Sequence, residues 1–275
     1  MLGWSAALIL SLCFASLSVA QHKRVVVDVV PSSSSLKAGD DFQIAVRFKI
    51  ESGWHMYWLN PGDSGLPPTV EWTAPEGIKI DPKLAFPPPK RIAAGEDLIS
   101  YGYEHELVVF ASATSDRQIS GAIRIDAKVS WLVCKDTCIS EKADTSTTIA
   151  IGPKTAPNPS FQAFPSPATV QAAKTEHGDS GVELSNDMTA GVISAYLGTD
   201  DVDPARVDLF PPSVEYAEFG KPTIVKNVKG SAITIPFRVL PGMKEAADGD
   251  AMLVRTDDKG NRTGTLIPLR FDFVK

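Results

Sequence analysis

The chain has 275 residues, 43% of them hydrophobic and 22% charged, with a formal net charge of −6. That length holds one large domain or two ordinary ones, and an acidic chain of pI about 5.3 with no basic run longer than Lys23-Arg24 excludes a surface built to neutralise nucleic-acid phosphates. The 21 prolines and 20 glycines exclude a mostly helical chain and suit many short strands joined by turns.

Residues 2–20 carry no charge, are apolar through Ala6-Ala7-Leu8-Ile9-Leu10, and end in Ser18-Val19-Ala20. A short apolar core followed by a small-x-Ala site reads as a signal peptide over residues 1–20, cleaved after about Ala20. Cleavage removes Cys13 and leaves Cys134 and Cys138. No later segment reaches the roughly eighteen apolar residues of a membrane span, so none is expected in the mature chain. An exported protein with an even cysteine count meets an oxidising compartment, and a disulfide between the two is the default expectation.

Strand patterns follow in chain order. Phe42, Ile44, Val46, Phe48 and Ile50 alternate with Gln43, Ala45, Arg47 and Lys49, which places one row against a core and the other toward water. Ile123, Ile125, Ala127, Val129 and Trp131 alternate in the same way with Arg124, Asp126, Lys128 and Ser130. Residues 24–30, 69–72, 106–113 and 145–151 are weaker strand candidates. Together they predict an immunoglobulin-like antiparallel β-sandwich over residues 21–152. Pro153, Pro157, Pro159, Pro165 and Pro167 mark residues 153–168 as a stiff connector rather than a strand. Residues 192–197, 207–210, 213–219, 231–239, 251–255 and 265–273 then predict a second, smaller β-domain over 169–275. This makes an all-β chain whose second domain supports or presents the first.

The segment Val129-Ser130-Trp131-Leu132-Val133-Cys134-Lys135-Asp136-Thr137-Cys138-Ile139 carries the reactive chemistry. A strand runs into Cys134 and another leaves Cys138, and the three residues between them are of hairpin-loop length. Four extended residues span about 13 Å, whereas a disulfide needs Cα atoms roughly 4.4–6.8 Å apart, so closing the pair requires the chain to turn back. Three readings stand side by side. A staple would constrain little, because so short a loop removes on the order of 2 kcal/mol of unfolded-chain entropy. A reversible dithiol–disulfide pair would have Lys135 favouring a thiolate and Asp136 opposing it. A soft-metal site would recruit His55, His105 or Met56. His55 is a candidate proton carrier because it titrates near neutrality; a buried histidine between aromatics is its ordinary alternative. Asn60 and Asp63 sit in a Pro-Gly turn, where such side chains cap the backbone.

The block Gly53-Trp54-His55-Met56-Tyr57-Trp58-Leu59-Asn60-Pro61-Gly62-Asp63-Ser64-Gly65, taken with the Val-Cys-Lys-Asp-Thr-Cys-Ile hairpin, resembles the periplasmic N-terminal domain of the thiol:disulfide interchange protein DsbD, and most closely the suppressor-of-copper-sensitivity ScsB group. The resemblance covers about residues 24–152. It implies a redox pair on adjacent strands, with Cys138 forming mixed disulfides and Cys134 resolving them. It implies no cofactor. The partners it implies are a membrane-embedded thiol reductase that supplies electrons and periplasmic thioredoxin-like or client proteins that receive them. It also implies a cap loop, matched here by Gly95-Glu96-Asp97-Leu98-Ile99-Ser100-Tyr101-Gly102. Glu96 and Asp97 are candidates for proton transfer there. Ser100 stands where the family has an aromatic, which leaves Ile99 or Tyr101 to shield the sulfurs. Trp54, Tyr57, Trp58 and Trp131 are the expected aromatic neighbours of the pair. The chain as given carries no electron-transfer domain, so the expectation is that a separate membrane partner serves it or that it has lost the reductive role. The competing classes are a non-enzymatic binding module with an inert disulfide and a copper-handling accessory.

Overall fold

Alternating strands become layered sheets in a computed structural model, which describes residues 22–93, 98–165, 170–172, 180–185, 189–198, 202–227, 230–242 and 246–271. The expected signal peptide, Glu96 and Asp97 lie outside the described residues. The first half runs through β1 (Val25–Pro31), β2 (Ser33–Lys37), β3 (Asp41–Ile50), β4 (His55–Gly62), β5 (Thr69–Thr73), β6 (Ile78–Ile80), β7 (Lys90–Ala93), β8 (Ile99–Glu104), β9 (Glu106–Ser115), β10 (Ala122–Cys134) and β11 (Cys138–Gly152). One sheet has the order β1-β3-β9-β6. The other runs β2-β11-β10-β4-β8-β7, with β5 also paired to β10. The pairings are antiparallel except for β2 beside β11. The two sheets close on one core, to which β3 gives Phe42, Ile44, Val46, Phe48 and Ile50, and β10 gives Ile123, Ile125, Ala127, Val129, Trp131 and Val133. These are the rows that the period of two selected. The chain is an all-β protein whose first domain is an immunoglobulin-like antiparallel sandwich.

The outer row of β3 departs from expectation. Ala45 is fully buried rather than facing water, because Phe161 and Phe164 cover it together with Val108 and Phe110. Those two phenylalanines belong to the proline-rich segment that the sequence presents as a bare connector. That segment instead forms β12 (Ala156–Pro157), paired with β2, and a single helical turn, α1 (Pro159–Gln162), capped by the Asn158 side chain, which accepts from the Ser160 N–H at 3.0 Å. Proline removes ladder donors but is tolerated at a sheet edge and at the first turn of a helix, and apolar contact then docks the segment.

The second half contains β13 (Val170–Ala172), β14 (Gly181–Leu184), β15 (Ala190–Gly198), β16 (Val207–Phe210), β17 (Ala217–Phe219), β18 (Thr223–Asn227), β19 (Gly230–Val239), β20 (Ala247–Thr256) and β21 (Arg262–Phe271). They make a sheet ordered β13-β21-β20-β16 and another ordered β14-β15-β19-β17, with β18 also on β19. Residues 213–216 are not strand, contrary to expectation. Pro211 and Pro212 offer no N–H to a ladder, and Tyr216 takes a positive φ of 63°.

The two halves pack directly against one another. Phe210, Met252 and Val254 of the second half are buried within the first half's core cluster. The Phe210 ring meets Trp58 edge-on at 5.9 Å and Tyr101 at 5.3 Å. Arg91 Nε donates to both carboxylate oxygens of Asp208, at 3.2 and 3.0 Å, and its guanidinium lies over the rings of Tyr101 and Phe210. A forked, stacked arginine fixes orientation as well as distance.

Candidate functional site

The β10–β11 hairpin sets Cys134 directly opposite Cys138. Lys135 N–H donates to the Thr137 carbonyl at 3.2 Å inside the three-residue loop. The two Cα atoms are 4.1 Å apart and the sulfurs are bonded. Alternation decides which way the pair faces. Trp131 and Val133 point into the core, so Cys134 lies on the outer face of the sheet. The two residues differ in exposure: Cys134 is 2% exposed, while Cys138 is exposed. This arrangement gives one cysteine that faces solvent and one that does not.

The neighbours come from β4. His55 is in register with Cys134 and therefore shares its face, as does Tyr57 two residues on. The Tyr57 hydroxyl is 3.7 Å from Cys138 Sγ, and the His55 and Tyr57 rings meet edge-on at 5.2 Å. Burial pushes the Tyr57 phenol up, with the Ser100 and Ser64 hydroxyls acting the other way, although Ser100 Oγ makes no hydrogen bond of ordinary geometry. The phenol therefore stays protonated at neutral pH and is able to donate to a sulfur. Burial also pushes His55 down, opposed by the Glu104 charge. Its Nε2 has no hydrogen-bond partner among the described residues. His55 is thus a neutral imidazole beside the buried cysteine.

Residues 62–65 wrap over Tyr57. Gly65, at φ 115°, sits so close that an added Cβ would fall 2.2 Å from the Tyr57 ring, so only glycine fits there. Asp63 anchors this turn to β8: its N–H donates to the Ile99 carbonyl at 3.0 Å, and its Oδ2 accepts from the Ile99 N–H at 2.7 Å. Asn60 Oδ1 accepts from the Gly62 N–H at 2.9 Å, the cap expected of an Asx side chain. What the sequence does not announce is the other end of Asn60, whose Nδ2 donates to the Pro211 and Pro212 carbonyls at 3.1 and 2.9 Å.

The other expected neighbours lie elsewhere. Trp58 and Trp131 point into the sandwich, where Trp58 meets Phe210 and Trp131 meets Phe48 edge-on at 5.8 Å. Trp54 packs against the same core, with the Arg24 guanidinium 5.0 Å from its ring centroid. Tyr101 is committed to the boundary between the halves, where its hydroxyl accepts from Arg91 at 3.3 Å. Of the four aromatics, Tyr57 is the one that reaches sulfur. Strand alternation is the reason: residues 56 and 58 must face opposite to residues 55 and 57. Met56 is core for the same reason, so the soft-ligand set of Met56 with the cysteines is not assembled. Among the described residues no three His, Cys, Asp or Glu side chains cluster as a metal site. Lys135 runs over Gly53, where its Nζ would be 3.7 Å from an added Cβ.

Residues 25–150 match the family described as thiol:disulfide interchange protein DsbD, N-terminal. The DsbD N-terminal match thus spans the first sandwich and both cysteines, and it carries thiol–disulfide interchange as the family's general chemistry. The N-terminal periplasmic domain of ScsB from Proteus mirabilis superposes with a TM-score of 0.62 at 17% identity, covering 92% of this chain and 96% of that one. That likeness is one of fold and extends through the second half. The reduced DsbD N-terminal domain from Neisseria meningitidis aligns over 48% of this chain and 90% of its own, at 15% identity and a TM-score of 0.27. No curated protein sequence matches the chain. Among the described residues no helix is long and apolar enough to cross a membrane.

Proposed function

We propose that the protein is a periplasmic thiol–disulfide exchange protein, exported on a leader cleaved near Ala20, which relays electrons from a membrane-embedded thiol reductase to periplasmic thioredoxin-like or client proteins. The domains are a redox sandwich over residues 21–152, a proline-rich linker over 153–168, and a second β-domain over 169–275. The observation that carries the reading is the asymmetry of one disulfide: Cys138 is exposed beside the Tyr57 hydroxyl while Cys134 is buried.

In the reduced protein the Cys138 thiolate attacks one sulfur of a client disulfide. The client's other sulfur leaves as a thiolate, and a mixed disulfide joins client and Cys138. Cys134 then loses its proton and attacks Cys138 Sγ. The mixed disulfide breaks, the client leaves with both sulfurs reduced, and two electrons have passed to it as the Cys134–Cys138 bond forms. Reduction by the membrane partner runs the same steps backward. The Tyr57 hydroxyl donates to the Cys138 thiolate, which favours the attacking form. His55, held neutral by burial, accepts the Cys134 proton in the resolving step. Glu96 and Asp97 remain candidates for proton transfer on the family resemblance.

The test is the midpoint potential of the pair, measured by thiol trapping across a dithiothreitol or glutathione series. A value of roughly −120 to −270 mV, the range of working exchange proteins, is expected. A pair that stays oxidised well below about −300 mV is a staple and ends this reading.

A further inference from the structure

Taking Cys138 as the reactive sulfur, we infer that Asn60 is a positioning residue through which the second domain holds the Tyr57 hydroxyl against Cys138. The contacts form one continuous chain. Pro211 and Pro212, just past β16, present their carbonyls to Asn60 Nδ2 at 3.1 and 2.9 Å. Asn60 Oδ1 holds the Gly62 N–H at 2.9 Å. Gly62 is paired with Ser100 on β8, and an added Cβ at Gly62 would fall 2.3 Å from the Ile99 carbonyl, so this turn lies directly against β8. The same turn delivers Gly65 onto the Tyr57 ring, and Tyr57 reaches Cys138 Sγ at 3.7 Å.

Strand geometry gives the tether its purpose. Between Tyr57 and Gly62 the β4–β8 register slips in a bulge, and bulges loosen a ladder and re-aim side chains. The bulged residues have lost part of their sheet support, and the second domain supplies a replacement. Phe210 braces Trp58 edge-on, and the carbonyls of the two prolines, residues with no N–H of their own, accept from Asn60. Asn60 is 9% exposed, so these hydrogen bonds are made away from water, where losing one leaves a buried polar group unsatisfied. The second domain, which carries no cysteine, thereby acts on the sulfur chemistry of the first.

Asn60→Asp separates the two ends of the side chain. Aspartate keeps an acceptor for Gly62 N–H and loses the donor to Pro211 and Pro212. The readout is the rate of iodoacetamide alkylation at Cys138 against pH in the reduced full chain, followed by peptide mass. Tyr57→Phe is expected to slow alkylation at pH 7 about fivefold, the size of effect that one lost hydrogen bond carries, and to move the pH profile upward. Asn60→Asp is expected to act in the same direction, and to add nothing in the Tyr57→Phe background, because its effect passes through that hydroxyl. A wild-type profile for Asn60→Asp overturns the inference. So does full additivity in the double variant, which is what the aspartate charge acting directly on the thiol would produce. Should the aspartate variant fail to fold, Asn60→Ala, which places no charge against the carbonyls, is read by the same cycle. These profiles do not depend on the midpoint potential, so a pair that proves to be a staple and an Asn60 that positions nothing are distinguishable results.

Discussion

The two halves are made of similar material and put to different use. Both are layered β-sheets with alternating apolar rows, and each has a core of its own. The first half gathers His55, Tyr57 and the cysteine pair on one outer sheet face, and residues 62–65 cover part of it. The second half instead inserts Phe210, Met252 and Val254 into its neighbour's core and clamps Arg91 with Asp208. A sheet face that must expose a sulfur gives up packing on that side, and the comparison teaches that the support comes from the flank, through the bulge in β4.

The largest effect expected from breaking this division of labour is at the sulfur. Cys138→Ala abolishes disulfide exchange in an insulin- or client-reduction assay while the fold survives, since so short a loop contributes only about 2 kcal/mol by chain entropy. Loss of the folded far-ultraviolet spectrum in that variant would make the hairpin a staple. Next comes the boundary. Phe210→Ala removes a fully buried ring that touches Trp58, Tyr101 and Arg91, at a cost of about 3–5 kcal/mol in urea unfolding. A loss under about 1 kcal/mol would mean the halves are not energetically joined. Asp208→Asn strips the charged partner from a largely buried arginine and costs about 2 kcal/mol by the same measurement. The exposed Glu218 beside Arg238 gives the contrast, because Glu218→Gln changes stability by no more than about 0.5 kcal/mol.

The smallest effect is a pH dependence. His55 has a folded pKa below its ordinary 6.5 because burial disfavours the imidazolium. The unfolded chain therefore binds the proton more readily, and the stability that neutral His55 contributes is fully present above about pH 6.5 and is lost as pH falls from there toward the folded value. Thermal melts should show Tm falling on acidification through that window, and His55→Gln should flatten the slope. An unchanged slope in the variant would place the titration at another group.

The strands with one wet face were legible because their side chains alternate: Phe42 to Ile50 and Ile123 to Trp131 both entered the core as read. β4 was not legible as a strand. His55, Met56, Tyr57 and Trp58 are all buried, so the period of two vanishes when both faces are covered. For the same reason the aromatics around the pair could not be sorted, and only register placed Tyr57 beside the sulfur and Trp58 and Trp131 beneath the sheet.

What the sequence determined by itself was local: an all-β chain, a hairpin short enough to bring Cys134 and Cys138 together, and a turn residue, Asn60, that caps its own backbone, whereas Asp63, expected to do the same, holds Ile99 of β8 instead. These follow from spacing and side-chain chemistry within a few residues. Tertiary structure alone decided that Cys138 is open and Cys134 shut, that the proline-rich segment docks on β3, and that Asn60 reaches Pro211 and Pro212 across more than a hundred residues of chain. Such contacts depend on which faces the folded sheets bring together, and no local pattern records that.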